Sequence, residues 1–533
     1  MQYRHFGVMI DCSRNGVMKP REVKKFIDVL VKLGYNTLEL YTEDTYEVEG
    51  EPYFGYMRGR YTGEEIKDID AYAKSKGVEL IPCIQTLAHF DAFKKNVAVR
   101  QMWDTGNILL CDEERTYEFL DRCFASLAKN FTSRNINIGM DEAHMLGLGK
   151  YLDKHGFVPR FDILTKHLNR VAEIAKKYGF TAHMWSDMFF RLINGGVYYG
   201  SGLHVPPDVY EKIPENIELT YWDYTSKTQK EYDDMFDSHI EMKRTVWYAA
   251  GAWCWLGFAP LNEFSLTPLK AGMKSAREKG VKDIIVTMWG DNGKECSFYA
   301  MLPALYAARQ YADGNFDEDK IKAGFEKAVG FSYDDFMLLD LPNTFDTFKE
   351  NITGYPENPQ KWLLYQDCFQ GVMDADLQLR GSISYGSYAE KLYATEKRVG
   401  EYGYIFKATA DLCRVLELKA TLGLKTREAY KRGDKKALKD LVPVYEETVA
   451  RLKKFYDSFY ELWHKENKSF GWEVQDVRLG GLERRLLTCA NMLKNYLSGK
   501  TDRLEELEQT PLICEKEDLV DKVYESIVTR SRL

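Results

Sequence analysis

The sequence predicts an α/β protein, a (β/α)8 TIM barrel followed by an α-helical C-terminal domain. Two observations carry the prediction. From residue 4 to about 313, short and nearly continuous apolar runs alternate with amphipathic stretches; beyond residue 314 the strand signal stops and helical patterns rich in Glu, Lys, Leu and Ala take over. Apolar strands separated by helices form a parallel sheet buried on both faces. Eight such units in about 310 residues fit a closed barrel better than an open doubly wound sheet. An open dinucleotide-binding sheet would place Gly-x-Gly-x-x-Gly after its first strand, where this chain reads Asp11-Cys-Ser-Arg-Asn-Gly16.

Taken in order, the predicted strands are residues 5–12, 36–41, 78–85, 135–141, 181–187, 217–223, 244–250 and 283–290. The first helix runs from Pro20 to Leu33, with proline at its start and Gly34 past its end. Further helical patterns lie near 63–76, 114–129, 161–178, 228–242, 264–279 and 298–313, with a less regular stretch at 188–212. Residues 1–315 are thus expected to be the barrel, 316–360 a connecting region, with Leu341–Pro359 as a boundary, and 361–533 the helical domain. Helices are expected there near 361–381, 385–432, 436–467, 479–499 and 515–530.

Composition removes several function classes. The 533 residues hold 73 Lys+Arg against 81 Asp+Glu, a net charge of −8, which argues against a nucleic-acid partner. The start Met-Gln-Tyr-Arg-His-Phe has no apolar run behind a basic stretch, so a cytoplasmic protein is expected. Apolar runs of about 18 residues are missing, so no membrane span is expected. The ten cysteines include no Cys-x-x-Cys pair, which suggests neither a disulfide framework nor a zinc site. Aromatics reach 14%, and six of the ten tryptophans fall between Trp185 and Trp289.

In a barrel of this kind the chemistry sits at the C-terminal ends of the strands. Those ends carry Asp11 and Arg14, Glu43 and Asp44, Gln85 and His89, Asp141, Glu142 and His144, Trp185 and Asp187, Tyr221 and Asp223, Tyr248, Trp253 and Trp255, and Trp289 and Asp291. Structural strands need apolar residues, and these ends are polar or aromatic throughout. Trp185-x-Asp187, Tyr221-x-Asp223 and Trp289-x-Asp291 share a spacing that puts ring and carboxylate on one face. An indole face beside carboxylates suits a sugar, with its C–H face stacked and its hydroxyls bound. The tryptophans Trp185, Trp222, Trp247, Trp253, Trp255 and Trp289 are accordingly expected to form one side of a sugar pocket.

The adjacent Asp141 and Glu142 reach one site only where the strand breaks into a loop. Two carboxylates in one low-dielectric mouth split their pKa values, as glycosidic cleavage requires. Asp-Glu-Ala-His also spells a helicase element, but the phosphate loop is missing: five positions before Gly499-Lys500-Thr501 stands Lys494.

This ordered set of strand-end residues, over residues 5–300, resembles glycoside hydrolase family 20, the β-N-acetylhexosaminidases, in a divergent form with a single barrel and a helical C-terminal domain. Where that family shows His-x-Gly-Gly before the pair, this chain has Asn137-Ile138-Gly139-Met140. The resemblance implies Glu142 as general acid/base, Asp141 orienting the substrate's 2-acetamido group and Tyr221 bonding its carbonyl oxygen in an oxazolinium intermediate. It implies Trp185, Trp253 or Trp255, and Trp289 as pocket walls, Arg14 on the O3/O4 hydroxyls, Asp291 at O4/O6, Asp223 at the substrate, and Asp44 with His89 as a pair supporting the acid. The expected substrate is an oligosaccharide or glycoconjugate ending in β-linked GlcNAc or GalNAc, cleaved with no cofactor and no metal. The alternatives are a retaining β-glycosidase whose nucleophile is Asp187, Asp223 or Asp291, and a sugar-binding barrel without catalysis. The helical domain is expected either to cap the barrel mouth or to build a homodimer.

Overall fold

Strand β1 (His5–Asp11) is buried along its whole length and pairs in parallel with two neighbours. Val8 stands opposite Leu38 on one side and Val286 on the other. The strands that follow are β2 (Thr37–Tyr41), β3 (Glu79–Cys83), β4 (Asn135–Asn137), β5 (Thr181–Trp185), β6 (Ile217–Trp222), β7 (Val246–Gly251) and β8 (Asp283–Met288). Each pairs in parallel with the next and β8 pairs with β1, which closes the eight-stranded barrel. A computed structural model describes residues 2–346, 355–512 and 522–533. Among them no helix is long and apolar enough to cross a membrane.

The helices follow their local signals. In α1 (Pro20–Leu33), Val23, Phe26, Ile27 and Leu30 form the buried stripe, and Gly34 ends it at φ 89°. Helix α2 (Gly63–Ser75) starts with a capping box between Thr62 and Glu65. Gly7 is fixed by space: a Cβ there would lie 2.8 Å from Ile285 Cδ1 and from Thr37 Cβ.

The lower barrel is polar. His5 lies 2.8 Å from Asp283 and 3.2 Å from Glu79. Trp247 is sandwiched between the His5 ring at 4.6 Å and the His183 ring at 4.1 Å. Trp247, expected among the sugar-facing tryptophans, is therefore a core residue here, because its position on β7 puts it near the opposite end from the mouth. Burial alone would lower the His5 pKa, but its bonds to Asp283 and Glu79 prevail and raise it to about 9. Burial would raise that of Glu79, but His5, Ser133 and Asn135 bring it down to about 2. The raised His5 value contributes stability in full below its unfolded value of 6.5 and loses it as pH climbs through about 9. The depressed Glu79 value contributes in full above 4.5 and loses it as pH falls through about 2. The contribution of this pair to Tm should thus be greatest between pH 4.5 and 6.5. In His5→Gln the alkaline decline should flatten; an unchanged slope would show that His5 carries none of it.

Two compact units can be drawn in the chain. The first comprises Met1–Ala252, Ser265–Trp289 and Ala304–Val329, and so contains every barrel strand. The second comprises Trp253–Phe264, Gly290–Pro303 and Gly330–Leu533. Within the span 316–360, the helix Glu318–Val329 belongs to the first unit.

In the second unit the expected helix at 361–381 is two short ones, Pro359–Tyr365 and Asp374–Arg380. Gly371 at φ 61° makes the turn between them, and Asp367 accepts the N–H groups of Phe369 and Gln370. The stretch 385–432 is likewise divided, into Tyr385–Glu396, Gly403–Lys419 and Leu422–Lys431, while Lys435–Glu466 is one long helix. Trp472–Leu497 begins before the expected start at 479, behind Gly471 at φ 88°. Of the predicted helix 515–530, residues 515–521 lie outside the described set and Tyr524–Val528 is helical; of the boundary stretch Leu341–Pro359, residues 347–354 do as well. A buried ion cluster joins Glu295 to Lys361 at 2.6 Å and to Arg478 at 3.1 Å within this unit.

Candidate active site

Strand β4 stops at Asn137 rather than running on to 141, and the reason is local. Asn137 Oδ1 accepts the Gly139 N–H at 2.9 Å, and Gly139, Met140 and Glu142 take φ values of 72°, 72° and 52°. Gly139 is obligatory: a Cβ would fall 2.2 Å from Gln85 Oε1 and 2.7 Å from the Ile84 carbonyl. This coil abolishes the alternation of an extended strand and brings Asp141 and Glu142 to one place.

Asp141 is 8% exposed and is held from two sides. Gln85 Nε2 donates to its Oδ1 at 2.8 Å, and His89 Nε2 lies 3.1 Å from its Oδ2. The same His89 nitrogen is 3.8 Å from Glu142 Oε2, whose side chain is 43% exposed. Burial alone would raise the Asp141 pKa, but the charge of His89 and the bond from Gln85 prevail and hold it below the usual carboxylate range. Burial would lower that of His89, but Asp141 outweighs it and raises the value to about 9. An ionised, buried aspartate thus sits beside a solvent-reaching glutamate.

A second layer of charge lies next to it. Gln85 also donates to the Tyr41 hydroxyl at 3.0 Å, which donates to Glu43 Oε1 at 3.0 Å. Arg14 pairs with Asp11 at 2.9 Å and Glu43 at 3.2 Å, and its guanidinium lies over the rings of Tyr41 and Trp289. Burial, opposed by Arg14 and His89, raises the Glu43 pKa to about 7. Trp289 packs edge-on to Tyr41 at 4.8 Å and faces Trp185 at 6.0 Å. Its indole N–H donates to the Tyr224 hydroxyl at 3.1 Å. Gly251 gives the Tyr224 ring room, since a Cβ there would lie 2.8 Å from it.

Arg14, His89, Asp141, Glu142, Trp185 and Trp289, all anticipated from sequence, therefore gather at one mouth. Tyr221 does not. Its ring packs edge-on to Phe236 at 5.1 Å and against His239 at 4.9 Å, both on the helix Gln229–Glu241. The period of two along β6 explains this: Thr220 meets His183 inside the barrel, so Tyr221 must face the helix layer. Asp223 accepts the Tyr221 O–H at 2.9 Å and the N–H groups of Thr225 and Ser226 at 3.0 Å, which makes it a turn-former rather than a sugar ligand. Asp44 does not back His89 either; it takes Arg58 at 3.3 Å, while the partner of His89 is Asp141. Trp253, Trp255 and Asp291 lie in the second unit, where the two indoles stack at 4.2 Å.

Tyr41 and Tyr224 were not singled out from the sequence. Tyr41-x-Glu43 carries the same ring–x–acid spacing as the later strands and was there to be read; Tyr224 lies beyond the strand and shows no periodic signal. Asp187, a nucleophile under the alternative mechanism, is fully buried, and its Oδ2 accepts the Glu142 N–H at 3.2 Å and Arg191 Nε at 3.0 Å. Burial, then the neighbouring Asp141, raises its pKa to about 7. His89, Asp141 and Glu142 bring donor atoms within 4.8 Å of one another. With its pKa raised to about 9, His89 holds a proton at neutral pH and serves as the counter-ion of Asp141.

An acid pair in an aromatic-lined (β/α)8 mouth is the arrangement of a barrel glycoside hydrolase. Residues 3–249 match the model described as "Glycosyl hydrolase family 20, catalytic domain", and residues 334–525 match "Glycoside Hydrolase 20C C-terminal domain". The chain belongs to glycoside hydrolase family 20.

Among curated proteins it is similar to a beta-hexosaminidase of Vibrio furnissii, 27% identical over 179 residues, which are 26% of this chain and 29% of that one. A beta-hexosaminidase of Akkermansia muciniphila is 25% identical over 172 residues, 27% of this chain and 35% of that one. The chain thus spans about a third of the length of these two relatives. Hexosaminidase D of Bos taurus is 23% identical over 332 residues, 56% of this chain and 90% of that one. A solved family 20 exo-β-N-acetylglucosaminidase from Vibrio harveyi superposes with a TM-score of 0.47 at 16% identity, over 63% of this chain and 58% of that one.

Proposed function

We propose that the protein is a retaining exo-β-N-acetylhexosaminidase that removes terminal GlcNAc or GalNAc by substrate-assisted catalysis. The observation that carries this reading is the division of labour in the acid pair: Asp141 buried and ionised between Gln85 and His89, Glu142 exposed beside it. Glu142 gives its proton to the glycosidic oxygen, and the bond to C1 breaks as the acetamido carbonyl oxygen attacks that carbon. Asp141 accepts the acetamido N–H and balances the charge of the oxazolinium. Water then attacks C1, Glu142 takes its proton, and the ring opens with net retention.

Trp185 and Trp289 wall the sugar, and the acetamido carbonyl is held by Tyr224, not Tyr221. Tyr224→Phe should cut kcat/KM by about tenfold or more, as loss of one donor to developing charge does. Tyr221→Phe should leave kinetics near wild type; the reverse outcome would restore Tyr221 to the role.

The direct test is hydrolysis of aryl β-GlcNAc and β-GalNAc with an acetamido-mimicking thiazoline as inhibitor. Turnover of plain β-glucosides without thiazoline inhibition would overturn the reading. The same proposal places the chain in the cytoplasm, supported by nine described cysteines that are all buried and form no disulfide.

A further inference from the structure

Beneath the acid lies a charged pair that the mechanism above does not use. Asp187 opens the helix Asp187–Ile193 with its side chain fully buried. Its Oδ2 receives two donors: the Glu142 N–H at 3.2 Å and, one turn along its own helix, Arg191 Nε at 3.0 Å. Its Oδ1 is buried with no hydrogen-bond partner among the described residues. Arg191 is held in place in turn, donating to the Gly196 carbonyl at 3.2 Å and lying over the rings of Tyr198 and Trp222.

Glu142 needs such support. At φ 52° it occupies a backbone region that a side-chain-bearing residue keeps only when its surroundings over-determine it. Two contacts do so: Asp187 on its N–H, and the His144 N–H on its carbonyl at 2.7 Å. An ordinary reading of Asp187 and Arg191 is an intrahelical i,i+4 ion pair of the kind common on helix surfaces. A fully buried carboxylate spending the same oxygen on the peptide of the acid is a different object.

We infer that Asp187 and Arg191 are a positioning pair for Glu142: the carboxyl group locks the peptide of the acid in its left-handed conformation, and Arg191 holds that carboxyl group in place. The inference rests on the reading of Glu142 as the general acid. Around Asp187, the charged groups are Asp141 and Glu142 from the β4 loop and Arg191 from its own helix. Tyr198 stands beyond Ser186. Around Glu142 they are His89 from the β3 loop and His144, which also feels Arg191 and Arg160.

Both variants should therefore disturb the acid without touching the sugar. In Asp187→Asn the side chain keeps its shape, but a carboxamide is a weaker acceptor for the Glu142 N–H and for Arg191, so kcat on substrates with poor leaving groups should fall by about tenfold through loss of orientation, with KM within about threefold of wild type. Arg191→Gln should do the same, to a smaller extent, by releasing the carboxyl group. The backbone amide signal of Glu142 in 15N-glutamate-labelled protein without substrate, assigned by its absence in Glu142→Gln, should move in both variants. Arg191→Gln, whose site is 18% exposed, keeps the test open should Asp187→Asn fail to fold. A moved amide signal together with the loss in kcat supports the pair; an unmoved Glu142 amide, or an equal loss of rate on all leaving groups, would reduce it to a fold-stabilising ion pair. Wild-type protein that turns over no hexosaminide would instead defeat the functional reading, while the amide signal still decides the pair.

Discussion

Glu142→Gln should lose about 10²- to 10⁴-fold in kcat on substrates with poor leaving groups, the range that a positioned general acid supplies. The variant keeps the shape of the side chain, which is 43% exposed, so folding is not at stake. Activated aryl glycosides need no proton on departure, and with them the first step should survive. The second step should not, because the attacking water still needs a base. Azide requires no deprotonation; it should restore turnover of activated substrates and yield the β-glycosyl azide, the signature of an attack on the face opposite the acetamido oxygen. An equal loss on all leaving groups, with no azide product, would mean that Glu142 does not handle the proton.

Much of this site was legible in the sequence, for reasons that can be named. Period-two alternation and eight strand–helix units describe the barrel because both report burial, and burial dominates the choice of residues in a parallel sheet. The same alternation shows why Asp141 and Glu142 need a break, and the break is found at Gly139 and Met140. Position along a strand is readable in this way; facing is readable only if the register is right. Tyr221 was placed at the mouth because its carboxylate partner shares its face, which is true: the two are hydrogen-bonded. That shared face is the helix side, a fact set by which residue of β6 meets His183. Trp247 fails for a related reason, since a tryptophan early on a strand lies deep in the barrel while one at its end lies at the rim. The partner of His89 was out of reach altogether, because Asp44 and Asp141 are both plausible by chain order and only the three-dimensional path of Arg58 to Asp44 separates them. Helix breaks such as that at Gly371 are missed because a turn shifts the 3.6 period by too little to disturb the pattern.

Asp141→Asn carries the other large effect, and it separates catalysis from stability. An amide in place of the carboxylate cannot balance the positive charge of an oxazolinium, and removal of one such electrostatic partner costs about 10²- to 10³-fold. Because the interaction is made in the transition state, kcat should fall while KM stays close to wild type, and affinity for the thiazoline should fall with kcat. The same change strips His89 of its counter-charge, and its pKa should drop from about 9. The sign of the pH effect on folding follows from the two shifts. The depressed Asp141 value contributes stability above 3.8 that disappears as pH falls, and the raised His89 value contributes stability below 6.5 that disappears as pH rises through about 9. The loss in Tm for Asp141→Asn should thus be largest between pH 3.8 and 6.5 and should vanish above about 9, where His89 is neutral in both proteins. A purely structural aspartate would show the Tm loss with thiazoline binding intact; a purely catalytic one would show the kinetic loss with a flat Tm difference across pH. The ion pair at 3.1 Å requires both signatures together, since the positive charge that keeps Asp141 ionised for the substrate is the one that it stabilises in the resting protein.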